Sequence, residues 1–221
     1  MKVFALMGSP RAGSNSDILL DKVIEGAISS GAVAEKFCIE ALKILPCNGC
    51  RDCRKTGKCE EKEDDVALIA KKVGEADAII ISTPIYGNHL PGQFKMLFDR
   101  LTGLTHMSEM RDGKLCSVSR LPIKKRNLAL VAVAGSPLSE SCDQALRYLS
   151  RIFLPELNDG VNFELRAIGV NELKQISMNR EALTEYVRAL HYPNVEATVE
   201  KMLLQNDEYL KHAYDIGKKF I

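Results

Sequence analysis

The sequence predicts an α/β protein, a doubly wound parallel sheet with helices on both faces, followed by a helical C-terminal extension. Three observations carry this reading. Short, nearly unbroken apolar runs of strand length recur through residues 1–170, the pattern of strands covered on both faces. Apolar residues at helical spacing fill the stretches between them. Strand and helix therefore alternate, as in consecutive βαβ units.

The first strand is KVFALMG, stopped by the turn-rich SPRAGSNS. Ile18, Leu19, Val23, Ile24, Ala27 and Ile28 then mark one helical face. AVAEKFCIEA reads as the second strand, and a cysteine-rich loop follows it. Asp64 and Asp65 stand where they would cap a helix carrying Val66, Leu68, Ile69 and Val73. DAIIISTP is a third buried strand, ending in the turn TPIYGNHLPG. A helix through Phe94, Leu97, Phe98 and Leu101 comes next. Residues 104–127 read as a long connection with some strand content, in which Met107 and Met110 are packing residues. The basic run Lys124, Lys125 and Arg126 reads as a solvated lead-in to the fourth strand, NLALVAVAG. SPLSES leads into a helix to about Leu154, and VNFELRAIGV is the fifth strand. Residues 1–170 form the ligand-binding domain and 171–221 the extension, whose stripe from Val195 to Ile216 needs a surface to cover. A second copy of the chain is the favoured cover, and its own domain the other choice.

Bulk composition sets outer limits. The 221 residues suit one large domain, and the apolar (46%) and charged (27%) fractions are ordinary for a globular protein. A formal charge of +1 gives no whole-molecule field to recruit nucleic acid or a membrane surface. The start MKVFALMGS does not read as a signal peptide, and no apolar run approaches the roughly 18 residues of a membrane span. A cytoplasmic location is expected, where reducing conditions favour metal or redox roles for cysteine over structural disulfides.

The loop GSPRAGSNSDILL runs straight from the first strand into the first helix. Gly8 and Gly13 permit tight turns, while Ser9, Ser14, Asn15 and Ser16 offer donors and Arg11 a positive charge. With the unpaired N–H groups and the dipole of the helix start, this makes an anion site sized for a phosphate. It is neither a Walker loop nor G-x-G-x-x-G, which argues against ATP hydrolysis and an ordinary dinucleotide fold. Pro84, Tyr86 and Gly87 shape the end of the third strand, and Gly135-Ser136-Pro137 the end of the fourth. Ligands of open parallel sheets sit outside such strand ends. A phosphate site at one end and an aromatic, glycine-lined turn at the other fit FMN.

Four of the seven cysteines, Cys47, Cys50, Cys53 and Cys59, fall within thirteen residues as C-x2-C-x2-C-x5-C. Two-residue spacers suit the thiolate ligands of one iron–sulfur cube, and Gly49 and Gly57 let the chain double back. Zinc, whose ligands usually come as separated C-x2-C pairs, and metal-free thiols are the alternatives. Cys38, Cys116 and Cys142 read as core or near-core thiols. His89 reads as a turn residue or a proton donor, while His106, His191 and His212 show no metal-ligand spacing.

GSPRAGSNS, TPIYGNHLPGQFKMLFDRL and the four-cysteine loop resemble the NADPH-dependent FMN reductase superfamily of flavodoxin-like proteins, and within it most resemble the iron–sulfur flavoproteins. The resemblance implies a five-stranded sheet in flavodoxin order and non-covalent FMN. It assigns the phosphate to Ser9, Arg11, Ser14, Asn15 and Ser16, and the ring to Pro84, Ile85, Tyr86 and Gly87 with Gly135 and Ser136. It also implies a [4Fe–4S] cluster on the four cysteines, a homodimer or homotetramer, and NAD(P)H or a ferredoxin-like protein as electron donor. Lys95, Asp99 and Arg100 match the family's helix, in a packing or interface role. The expected activity is electron transfer through FMN to an acceptor. The rival of another class is a redox- or metal-sensing module of the same fold without turnover.

Overall fold

A computed structural model describes residues 1–59 and 63–220. Five parallel strands make the central sheet: β1 (Lys2–Met7), β2 (Val33–Cys38), β3 (Ala78–Pro84), β6 (Asn127–Val133) and β7 (Asn162–Ala167). Their spatial order is β2-β1-β3-β6-β7, the flavodoxin order. All five strands match runs read in the sequence; the three central ones are buried on both faces, every residue of β3 among them, while β2 and β7 at the edges are partly exposed.

Alternation along the strands divides the core in two. Phe4, Leu6, Ile79, Ile81, Leu128 and Leu130 face α3 (Val66–Glu75), α4 (Gly92–Thr105) and α5 (Asp143–Leu157). Val3, Ala5, Met7, Ile80, Ala129 and Val131 face α1 (Asn15–Ser29) and α7 (Val195–Lys218). The layers are thus helix, sheet, helix, with the strands' carboxyl ends gathered at one edge.

Four features depart from the sequence expectation. The segment 104–127 contains an antiparallel hairpin, β4 (His106–Arg111) and β5 (Lys114–Ser119), forming a two-stranded sheet of its own. Asp112 and Gly113, at φ 49° and 74°, make its two-residue turn. The hairpin is fastened to α5 at its base, where Ser119 Oγ donates to the buried Glu156 carboxylate and His106 Nε2 lies 2.9 Å from Glu156 Oε1. Arg126 is not solvated: it is 1% exposed, and its guanidinium donates to the carbonyls of Gly74, Ala76, Pro122 and Glu156. Of the two expected caps of α3, Asp65 holds the N-cap position but its carboxylate accepts from Lys43 N–H, and Asp64 Oδ1 is the one that accepts from the helix, at Val66 N–H (3.4 Å).

The fourth concerns the extension. Ala213 and Ile216 of α7 are buried within this same chain, where α7 lies along α1. A second copy was the favoured cover from sequence; the inner face is covered by the chain's own first helix. A further helix, α6 (Arg180–Ala189), unread in the sequence, packs Leu183 and Val187 against Val199 of α7.

Candidate functional site

The first loop is built around the start of α1. Ser14 is the N-cap and its Oγ accepts from Asp17 N–H (3.4 Å), while Asp17 Oδ2 accepts from Gly13 N–H (2.7 Å). This is a near relative of the capping box, closed one residue early. Gly13 sits at φ 66°, a left-handed conformation that favours glycine. Ser9 is fully buried, and its hydroxyl accepts from Arg11 N–H (3.1 Å). Ser82 Oγ of β3 donates to Ser16 O (2.7 Å), tying the helix start to the sheet edge. Gly8 has a packing role: a Cβ there would strike the Phe94 ring.

This loop is one wall of a cleft of about 150 Å³ at the carboxyl ends of the strands. Ser9, Arg11, Ser14, Asn15 and Ser16 line it from one side, and Pro84, Ile85, Tyr86 and Gly135 from the other. The structure therefore brings together nine of the eleven residues expected around FMN. Gly87 and Ser136 do not line the cleft. Gly87 and Asn88, at φ 55° and 61°, form a type I′ turn closed by paired bonds between Tyr86 and His89 (2.9 and 3.0 Å). The requirement at Gly87 is its φ, since a Cβ there would meet open space. Ser136 Oγ accepts from Leu138 N–H, and its carbonyl from Gly169 N–H. His89 is a turn residue: its Nδ1 accepts from Leu90 N–H (2.8 Å) and its ring lies beside Tyr148.

The remaining wall was not anticipated. Asn171, Glu172 and Leu173, from the loop after β7, complete the cleft. Asn15, expected as a phosphate donor, spends its amide on this loop: Nδ2 donates to Glu172 O (2.7 Å) and Oδ1 accepts from Ile176 N–H (3.1 Å). Buried Gln175 accepts from Asn171 N–H and Glu172 N–H, and Asn206 of α7 donates to Gln175 O (2.8 Å). Tyr209 Oη accepts from Ile168 N–H (3.0 Å). The extension thus holds one wall of the cleft. The strand-end rule that selected three loops applies equally to this fourth one.

The arrangement fits FMN by the chemistry of its surfaces. A helix N-terminus, serine hydroxyls and an exposed arginine suit a phosphate, and the half-exposed Tyr86 beside Pro84 suits a flat ring.

The cysteine loop lies elsewhere, on the side of α3 and α4. Cys47 and Cys50 are exposed; Cys53, on the short helix α2 (Asp52–Thr56), and Cys59 are half-buried against the core. Gly49 and Gly57 have φ of 78° and 72°, as doubling back requires. Cys47 and Cys53 share a cleft of about 410 Å³ with His106, Met107 and Ser117 of the hairpin. The donor set has the chemistry of an iron–sulfur site, though among the described residues no three His, Cys, Asp or Glu side chains converge as a metal-binding group. Buried Arg100 of α4 closes the loop's root. It pairs with the Asp64 carboxylate and donates to Leu45 O (3.1 Å) and to Cys59 Sγ (3.2 Å). Burial alone would raise the Asp64 carboxyl; the Arg100 guanidinium and Leu45 N–H hold it below the ordinary carboxylate range. Lys95 pairs with Asp99 and sits 5.3 Å over the Tyr148 ring.

Two kinds of known protein are similar to this chain. An iron–sulfur flavoprotein of Methanocaldococcus jannaschii is 38% identical over 100 residues, covering 45% of this chain and 51% of its own. One from Methanosarcina thermophila is 35% identical over 100 residues, covering 45% and 52%. The chain therefore spans about half the length of the curated relatives it matches. Among solved structures, it resembles the NAD(P)H:quinone oxidoreductase from Methanothermobacter marburgensis (TM-score 0.65, 16% identity, 100% and 99% coverage). An azoreductase from Bacillus anthracis is similarly related (TM-score 0.66, 14% identity, 100% of both chains), and at such identities the likeness is one of fold. The family profile of the NADPH-dependent FMN reductases matches residues 1–147, which include the phosphate-type loop, the Tyr86 turn and the cysteine loop, and the chain belongs to that family.

Proposed function

We propose that this chain is an FMN-dependent oxidoreductase that moves electrons between NAD(P)H or a ferredoxin-like donor and an acceptor. The observation that carries the reading is the convergence of four strand-end loops on one cleft, polar and helix-capped at one end and aromatic at the other. Bound FMN would supply the hydride and single-electron chemistry. The chain's part is to bind and orient it: Ser9, Arg11, Ser14 and Ser16 toward the phosphate, and Pro84, Ile85, Tyr86 and Gly135 toward the ring. Gly87 and Ser136 shape the loops that carry those groups. Asn15 acts through the loop it braces.

The second cofactor in this reading is a [4Fe–4S] cluster on Cys47, Cys50, Cys53 and Cys59. Its support is the thiol spacing, the left-handed glycines and the names of the iron–sulfur flavoproteins the chain resembles. A homodimer or homotetramer is also proposed. Met110 (63% exposed), Leu115 (71%) and Ile123 (90%) on and beside the hairpin are apolar side chains suited to a subunit contact. No helix among the described residues is long and apolar enough to cross a membrane.

Anaerobic purification followed by absorption spectroscopy, iron and sulfide analysis and NAD(P)H oxidation assays tests the proposal. Flavin absorption with turnover supports the oxidoreductase, and about four irons per chain support the cluster. A colourless protein that does not take up added FMN would overturn the flavin reading. Bound flavin without turnover on either donor would favour the sensing module instead.

A further inference from the structure

Two residues of α4 each seat one cysteine sulfur. Arg100 and Gly103, spaced i and i+3, lie on the same face of the helix. Arg100 Nη2 donates to Cys59 Sγ at 3.2 Å. At Gly103 the absent side chain is what matters. A Cβ built there would collide with Cys53 Sγ and stand 3.4 Å from Cys53 Cβ, so the sulfur rests on bare helix backbone.

The seat is rigid by construction. Arg100 is 3% exposed and its charge is balanced by Asp64, whose side chain is 1% exposed. Arg100 and Asp64 also bond Leu45, through its carbonyl (3.1 Å) and its N–H (2.9 Å). Leu45 precedes the first cysteine and Asp64 follows the last, so this ion pair clamps both ends of the loop. A planar fork can serve three acceptors at once, which a lysine ammonium at the same position would not reproduce. Arg100 Nε, also buried, has no hydrogen-bond acceptor among the described residues, which leaves the guanidinium a donor in reserve.

We infer that the Arg100–Gly103 face of α4 is a positioning platform that holds Cys53 and Cys59 before any metal arrives, while Cys47 and Cys50 complete the ligand set from the exposed side of the loop. The part concerning metal rests on the cluster reading above; the seat itself does not. A cationic N–H donor on a ligand sulfur favours the more negative, reduced state of a cluster, so Arg100 also sets its potential.

The test uses the full-length chain in two forms. In the metal-free protein, alkylation at fixed pH with peptide mass spectrometry should modify Cys47 and Cys50 before Cys53 and Cys59. Gly103→Ala should leave α4 and FMN binding intact, since alanine is the better helix former. It should nonetheless speed modification of Cys53 about tenfold by unseating the loop. In the reconstituted protein, Arg100→Lys, which keeps the charge but not the fork, should shift the cluster potential to more negative values at unchanged iron content. Equal labelling of all four cysteines, or a Gly103→Ala pattern identical to wild type, would overturn the platform. A reconstituted Arg100→Lys protein with an unaltered potential would overturn the role of Arg100. Should wild type hold no iron, the cluster reading falls, and the labelling order alone decides the seat.

Discussion

Gly217 of α7 lies against Gly26 of α1 with no side chain between the two helices. A Cβ on Gly217 would stand 2.7 Å from Ala27 N and closer still to Val23 O, while one on Gly26 would collide with Tyr214 O. This contact joins the extension to the first βα unit, and through that unit to the phosphate-type loop.

Alanine at either glycine should therefore destabilise the protein, although alanine favours helix by up to about 1 kcal/mol. Overpacking costs about 1–3 kcal/mol, and against backbone that cannot rotate away about 2–3, which leaves a net loss of about 1–2 kcal/mol. Thermal unfolding should show a Tm about 2–8 °C lower. Gly26→Ala with an undiminished Tm would mean that α7 is not closely docked.

Asn206 should matter to the cleft from α7. Its Nδ2 donates to Gln175 O (2.8 Å) in a site where Asn206 is 3% exposed. Asn206→Leu removes one of the two donors to that carbonyl, which keeps Met178 N–H (3.1 Å), at a cost of about 0.5–1.5 kcal/mol. Amide exchange at Asn171 and Glu172 should accelerate, because Gln175 accepts from both. Exchange confined to α7 itself would show that the extension does not brace the wall.

Ser9→Ala removes the hydroxyl that accepts from Arg11 N–H inside the phosphate-type loop. A lost bond to this part-buried donor, at about 1.4 kcal/mol, corresponds to about tenfold weaker FMN binding. Flavin fluorescence titration measures it. An unchanged affinity would remove Ser9 from the binding loop.

Acid should weaken the root of the cysteine loop. The Asp64 carboxyl lies lower in the folded state than its unfolded value of about 3.9, so it contributes stability that is fully present above about pH 4. That contribution is lost as pH falls through the lowered folded value. Asp64→Asn should cost about 3 kcal/mol or more at neutral pH, because Arg100 is left buried without its counter-ion. It should also flatten the acid limb below about pH 4. Urea midpoints of the two proteins that fall in parallel through that range would contradict the assignment.

Much of the fold was legible because its signals are local. The apolar runs of β1, β3 and β6 were clear because burial on both faces leaves no polar alternation to confuse them, while the edge strands β2 and β7 are more polar and only partly buried. Nine of the eleven residues expected around the ligand line the cleft, because they stand in loops at the strand ends. Residues 104–127 were read as a connection with some strand content, which the structure contains; its pairing into a hairpin at Asp112-Gly113 was not read, because the exposed strands lack an apolar stripe. Arg126 read as solvated because a run of three basic residues does not say which one a neighbouring loop will cover.

By itself the sequence determined the layered α/β architecture, the loops at the strand ends and the thiol spacing, all set by local turn chemistry and hydrophobic period. Only the tertiary structure decided that α7 lies on α1, that Asn171 and Glu172 close the cleft, and that Arg100 meets Cys59. Those contacts join residues 41 to more than 150 positions apart. They depend on how packed layers bring distant segments together, which no local pattern encodes.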